Sequence, residues 1–245
     1  EGILVQSALI DKTLIQSFSN LKIVSNVGVG FDNIDANLCT KMGIQVTNTP
    51  GILNDAVADM SMALLLAIAR RVPEGDRIVR SGGFKANFYH LLWGADLKGE
   101  NLGIIGMGSI GQDVAKRALP FGLNIKYHNR NRLSKVIEST LNAEWMQLQD
   151  LLKSCRFIVI LCPLTNETKH LITIKEFENM KKDSFLINIA RGPIVKESDL
   201  IIALEDKLIS GSALDVYEFE PNYDLRLSKM NNVVDFNYNF SVDQN

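Results

Sequence analysis

The sequence predicts an α/β chain organised on a doubly wound parallel sheet, and three observations carry that prediction. Apolar runs at 102–105 and 157–161, and a third at 185–189 interrupted only by Asn188, read as strands buried on both faces, as parallel strands covered by helices are. Stretches of helical spacing separate such runs, the alternation that builds a parallel sheet. Directly after the first run the glycines fall as Gly106-x-Gly108-x-x-Gly111, the spacing of a strand that turns sharply into a helix.

The chain opens on the same grammar. Residues 2–5 form a short apolar strand, and 11–18 a helix with Asp11 placed to cap it. Residues 21–25 are the next strand, running into the glycine-bearing loop 26–30. Residues 34–42 read as a helix, Gly43 as its stop and 44–46 as a strand. Thr49-Pro50-Gly51 breaks the pattern. Asn54 then stands where it can cap a long helix in which Val57, Met60, Leu64 and Ile68 share one face. Pro73 permits a further helix to Arg80, and residues 84–96 read as a surface loop or arm. Beyond the glycine turn, Ile110, Val114 and Leu119 mark a helix and 125–128 a strand. Residues 174–180 and 199–204 are helical, and 212–214 is a strand ending at Asp215. Val233 and Val234 suggest one more. The domains are read as 1–50, part of a smaller α/β unit; 51–238, the doubly wound unit; and 239–245, a truncated end.

Each glycine of the turn has a physical task. Gly106 lets the chain leave the strand sharply, Gly108 keeps side-chain atoms away from an approaching pyrophosphate, and Gly111 lets the helix pack closely. The helix N-terminus offers free N–H groups and positive potential. The residue closing the second strand distinguishes the two common dinucleotides, because an acid there binds a ribose 2′-OH. This chain has Asn129-Arg130-Asn131-Arg132 instead. An amide with two guanidinium groups welcomes a 2′-phosphate that a carboxylate would repel, so Asn129, Arg130 and Arg132 favour NADP(H) over NAD(H).

Composition narrows the classes. A net charge of −2, from 26 basic and 28 acidic residues, gives no reason to expect nucleic acid or an acidic membrane as partner. Cys39, Cys155 and Cys162 have no metal-ligand spacing and read as reduced thiols, which suits a cytoplasmic location. No secretory signal is visible. The longest apolar stretch, 56–69, contains Asp59 and falls short of the roughly 20 residues that cross a bilayer.

Arg191 follows a central strand and therefore projects from the sheet's carboxyl edge. It can grip a carboxylate through two hydrogen bonds and polarise a carbonyl, or stand as a surface ion-pair partner. Glu218 and Glu220 read from spacing alone as solvated loop charges. His90, His128 and His170 pair by pattern with no acid or nucleophile and read as structural or solvent-facing.

Taken together, the blocks at 29–35, 54–59, 102–111, 127–130, 162–165, 187–192 and 214–221 resemble the D-isomer-specific 2-hydroxyacid dehydrogenases, and within them the glyoxylate/hydroxypyruvate reductases. The resemblance implies a Rossmann-type doubly wound sheet beside a truncated flavodoxin-like α/β substrate domain. It implies a homodimer that reduces a small 2-keto acid to the 2-hydroxy acid with a nicotinamide cofactor. Carried over by position, Arg191 binds the substrate and polarises its carbonyl, and the N–H groups of Val29 and Gly30, with Ser7, hold its carboxylate. Ser109 and Ile110 cover the pyrophosphate, Cys162, Pro163, Thr168 and Ala190 line the cofactor, and Asp215 holds its carboxamide. Glu220 is the acid that raises the pKa of a catalytic histidine. Tyr238 occupies that histidine's position in this chain, and Phe240 that of a family glycine. The front of the substrate domain and the family's closing helix are expected to lie outside 1–245. Tyr238 also opens an alternative, a catalytically impaired member that acts only as a dinucleotide-binding or interaction protein.

Overall fold

The computed structural model describes residues 1–6, 8–83 and 93–236. Ser7, most of the 84–96 arm, Tyr238 and the 239–245 segment lie outside the described residues. The chain divides into two compact units, Glu1–Asp55 and Ala56–Asn245.

The first unit contains β1 (Gly2–Val5), α1 (Lys12–Ser17), β2 (Ile23–Asn26), α2 (Ala36–Lys41) and β3 (Gln45–Thr47), its strands parallel in the order β1-β2-β3. Asp11 caps α1 as its position predicts, its carboxylate accepting from the Leu14 N–H at 2.9 Å. The second helix starts two residues later than its apolar pattern, because Asp35 is its cap and Ile34 is spent on a parallel bridge to Ile10. Val5, Ile10, Ile15, Val24, Ile34, Cys39 and Ile44 close the core.

The helix α3 (Asn54–Ala69) is followed by α4 (Val72–Arg80). Asn54 is already helical and its side-chain oxygen is buried with no hydrogen-bond partner among the described residues. The capping role expected of it is therefore not made.

The second unit carries a seven-stranded parallel sheet. Its members are β4 (Asn101–Ile105), β5 (Asn124–His128), β6 (Ala143–Trp145), β7 (Phe157–Ile160), β8 (Phe185–Asn188), β9 (Gly211–Leu214) and β10 (Val233–Asp235). They lie in the order β10-β9-β8-β7-β4-β5-β6. The connecting helices are α5 (Ser109–Ala118), α6 (Lys135–Leu141), α7 (Leu148–Ser154), α8 (Ile174–Asn179), α9 (Glu197–Glu205) and α10 (Leu225–Lys229). Alternate residues of one strand enter different cores. Phe157 and Val159 pack with α3, α5 and α6, whereas Ile158 and Ile160 pack with α7, α8 and α9. Burial on both faces is why β7 is apolar throughout, each large side chain contributing about 1.5–3 kcal/mol. The short elements α6, β6, α7 and α10 had no sequence signal strong enough to predict them. They are three to seven residues long and owe their order to docking on the sheet.

The order reverses between β4 and β7, since the chain winds outward from β4 in both directions. Loops at the carboxyl ends of those two strands part there and leave a crevice.

Candidate functional site

The glycine turn occupies that point. Gly106 has φ 104°, and a Cβ on it would lie 2.4 Å from the Cys162 backbone nitrogen. Both the dihedral and the approach to the end of β7 require glycine. A Cβ on Gly111 would lie 2.5 Å from the Gly106 carbonyl oxygen, which is how the first turn of α5 closes on the strand. Gly108 caps α5 with nothing within 4 Å of where its Cβ would be. Its face opens outward, and Ser109, Ile110 and Gly111 begin the helix behind it with the uncommitted N–H groups of a helix start.

The crevice above the turn holds about 420 Å³ and is lined by Gly106, Gly108, Asn129, Arg130, Cys162, Pro163 and Thr168 among others. Seven residues that the sequence separates by up to 62 positions thus meet at one place. Burial pushes the Cys162 thiol up to about 11, so it stays protonated. The Thr168 hydroxyl donates to the Pro163 carbonyl at 2.6 Å and accepts the Thr165 N–H at 2.7 Å, which folds it into the crevice wall.

The polar cluster that closes β5 is dispersed. Asn129 turns inward: its Oδ1 accepts the Met107 N–H at 2.7 Å and its Nδ2 donates to the Met107 carbonyl at 3.3 Å. Arg132 is held away from the crevice by Glu138 of α6, with Nε and Nη2 donating to the two carboxylate oxygens at 2.7 and 2.8 Å. Buried Tyr127 donates to the same carboxylate at 2.7 Å. Those hydrogen bonds, from Arg132 first and Tyr127 second, hold Glu138 down at about 2. Of the three residues read as a 2′-phosphate site, Arg130 is the one whose charge faces the crevice. There it also helps to keep the Glu167 carboxyl below its ordinary range, behind the larger effect of the Thr165 hydroxyl.

Two strands along the same edge, β8 and β9 present the second cluster. Asn188 is fully buried and ties three segments together. Its Oδ1 accepts the Ala190 N–H, its Nδ2 donates to the Arg191 carbonyl, and its own carbonyl accepts the Asp215 N–H. Gly192 follows Arg191 and lies so close to the next loop that a Cβ there would fall 1.8 Å from the Tyr217 oxygen. The Ala190–Gly192 loop is therefore pressed onto the loop that carries Asp215 to Glu220. Arg191 donates from Nη1 to the Ala190 carbonyl at 2.8 Å. Asp215 has a buried Oδ1 with no hydrogen-bond partner among the described residues. Burial, and next the charge of Glu220, push its carboxyl up to about 6.

Glu220 is exposed, with its Oε1 accepting the Tyr217 N–H at 2.8 Å. Glu218, expected to be solvated, is 8% exposed and faces His170, with Nε2 and Oε1 2.6 Å apart. It exchanges backbone hydrogen bonds with Glu197, each carboxylate accepting the other's N–H. His170 and Glu218 are 48 residues apart and Glu138 lies on a short helix that no sequence pattern marked, so sequence spacing gave no signal for either partner. His128 is structural, its Nδ1 2.9 Å from the Met146 carbonyl oxygen.

In the first unit the loop after β2 is pinned by its carbonyls. Asn26 donates to those of Gly28 and Gly30, and Asn48 to that of Val29. The peptide N–H groups of Val29 and Gly30 take part in none of these bonds. Ser7 and Tyr238 are outside the described residues.

These features fit a dinucleotide: an outward-open glycine face at a helix start, a crevice at the switch point, and an uncommitted buried carboxylate oxygen further along the edge. Residues 62–235 match the family model for the D-isomer specific 2-hydroxyacid dehydrogenase, NAD binding domain. The chain belongs to that family. A glyoxylate reductase of Pyrococcus horikoshii is 49% identical over 232 residues, covering 93% of this chain and 69% of the relative. Among solved structures, a glyoxylate reductase from Paecilomyes thermophila superposes with a TM-score of 0.88 at 32% identity, covering 95% of this chain and 72% of the other. A D-lactate dehydrogenase from Aquifex aeolicus, complexed with NAD and lactic acid, superposes with a TM-score of 0.87 at 29% identity, over 96% of this chain and 74% of that one. Among the described residues, no helix is long and apolar enough to cross a membrane.

Proposed function

We propose that this chain binds a nicotinamide dinucleotide, NADP(H) in preference to NAD(H), and reduces a small 2-keto acid of the glyoxylate or hydroxypyruvate kind to the 2-hydroxy acid. One observation carries the reading. A single sheet edge holds an open glycine crevice at its switch point between β4 and β7 and, at the ends of the next two strands β8 and β9, Arg191 and Asp215 on loops locked together by Asn188 and Gly192. The names of the relatives, glyoxylate reductase in two of the three, supply the substrate class.

When bound, the reduced nicotinamide supplies a hydride to the keto carbon. Gly108, Ser109 and Ile110 present the turn and helix start to the pyrophosphate, and Cys162, Pro163 and Thr168 form the facing wall. Asp215, whose buried Oδ1 has no hydrogen-bond partner among the described residues, would hold the carboxamide. Arg191 carries a planar guanidinium with a fork of N–H donors. It directs N–H donors at the carbonyl oxygen, where negative charge grows as the carbonyl is reduced. For the substrate carboxylate, the peptide N–H groups of Val29 and Gly30 are the candidates in the first unit. Arg130 is the group that favours the 2′-phosphate.

Proton delivery separates this reading from a second one. Tyr238 stands at the family's histidine position, and its reference pKa is about 10 against about 6.5 for histidine. A carboxylate beside a phenol raises its pKa further and makes it a poorer acid. That substitution favours a chain that binds the dinucleotide and turns over slowly or not at all. The deciding experiment follows loss of reduced-nicotinamide absorbance with glyoxylate and with hydroxypyruvate, for NADPH and NADH. Turnover faster with NADPH supports the reductase. Dinucleotide binding without turnover supports the second reading, and absence of binding to folded protein defeats both. A homodimer in the cytoplasm completes the proposal, and a monomer by light scattering would count against it.

A further inference from the structure

Asn129 closes β5, where a Rossmann sheet places the residue that reads the ribose. Its side chain is already committed. Oδ1 accepts the N–H of Met107, the residue between the first two glycines of the turn, at 2.7 Å, and Nδ2 donates to the carbonyl of the same residue at 3.3 Å. Its backbone is held from the opposite side, where the indole N–H of Trp145 on β6 donates to the Asn129 carbonyl at 3.1 Å. The Met107 side chain is fully buried, so the peptide that Asn129 grips is anchored at one end in the core. Gly106 and Gly108 flank that peptide, and their freedom of rotation is what the grip removes.

We propose that Asn129 is a positioning residue of the glycine turn and not a reader of the 2′ substituent. It fixes the Met107 peptide, and through it the open face of Gly108, leaving Arg130 to distinguish the two dinucleotides. The assignment rests on the proposed dinucleotide-binding function and refines it. A reader of the 2′ substituent affects one cofactor, whereas a latch on the turn affects both, because both carry the pyrophosphate that the turn receives.

The test has two arms on the full chain. The first follows Met107 amide hydrogen exchange without cofactor. Asn129→Ala removes the acceptor and is expected to speed exchange at least tenfold, while Asn129→Asp keeps an acceptor oxygen and keeps exchange slow. The second titrates NADPH and NADH against the intrinsic fluorescence of the chain's two tryptophans, Trp93 and Trp145. Asn129→Ala is expected to weaken both by about tenfold, with their ratio unchanged within about twofold. Arg130→Ala is expected to shift the ratio toward NADH. Unchanged Met107 exchange in Asn129→Ala overturns the assignment. So does an alanine variant that loses NADPH tenfold more than NADH. The exchange arm needs no cofactor, so it decides the latch even where dinucleotide binding itself fails.

Discussion

Two regions of this sheet's carboxyl edge are built from different materials. At the switch point the structure is made by absence: Gly106, Gly108 and Gly111 supply a bend, an open face and a close helix contact, within six residues of sequence. At β8 and β9 it is made by polar groups that meet over long separations, as the Asn188 carbonyl accepts the Asp215 N–H and part-buried His170 faces Glu218. The first arrangement tolerates almost nothing at its backbone but asks little of the rest of the chain. The second depends on a completed fold, since Glu218 and Glu197 are stable as buried carboxylates only while each accepts the other's N–H.

Substitutions can break this contrast. The largest effect is expected at Gly192→Ala, whose new Cβ would overlap the Tyr217 backbone at 1.8 Å. A loss of about 3 kcal/mol or more is expected in urea unfolding, together with loss of turnover as the Arg191 loop is displaced. Next comes the pair Gly106→Ala and Gly108→Ala. The first, at φ 104° and against Cys162, should cost about 2–3 kcal/mol of stability as well as cofactor binding. The second meets no atom within 4 Å and should hold stability within about 0.5 kcal/mol while weakening the dinucleotide. Equal destabilisation by the two would mean that the open face is not open.

On the polar side, His170→Ala leaves the buried Glu218 oxygen short of its partner at 2.6 Å and should lower stability by about 2 kcal/mol, read from the shift in urea midpoint. Asp215 gives the comparison a pH axis. Its folded-state value of about 6 lies above the ordinary 3.8, so the folded chain holds this proton more tightly than the unfolded one does. Its contribution to stability is complete below about pH 4 and is lost as pH rises through about 6. Asp215→Asn should remove that fall, seen as a flatter unfolding midpoint across this window. The smallest effect belongs to Arg132→Met. Its guanidinium serves Glu138, so the NADPH-to-NADH affinity ratio should stay constant while the Glu138 carboxyl rises from about 2, followed by NMR titration.

Much of the fold was legible because its signals are local. The wholly apolar β7 and the glycine spacing after β4 each report a burial or a dihedral that a few adjacent residues decide. The Arg191 loop was located correctly at the end of β8 for the same reason. Asn129 and Arg132 show where that legibility stops. Their residue types are right for a phosphate, yet one is taken by Met107, 22 positions earlier, and the other by Glu138 on a helix that the pattern did not reveal.

The sequence by itself determined that this protein has a parallel sheet, a turn for a dinucleotide at its centre strand, and an arginine at the carboxyl edge. Each of those follows from short-range sterics and periodic burial. Tertiary structure alone decided which polar side chains remain available for a ligand. Each polar side chain has a fixed, small number of donor and acceptor sites, and only the folded arrangement settles whether those of Asn129, Arg132, Asp215 and Glu218 have already met their partners.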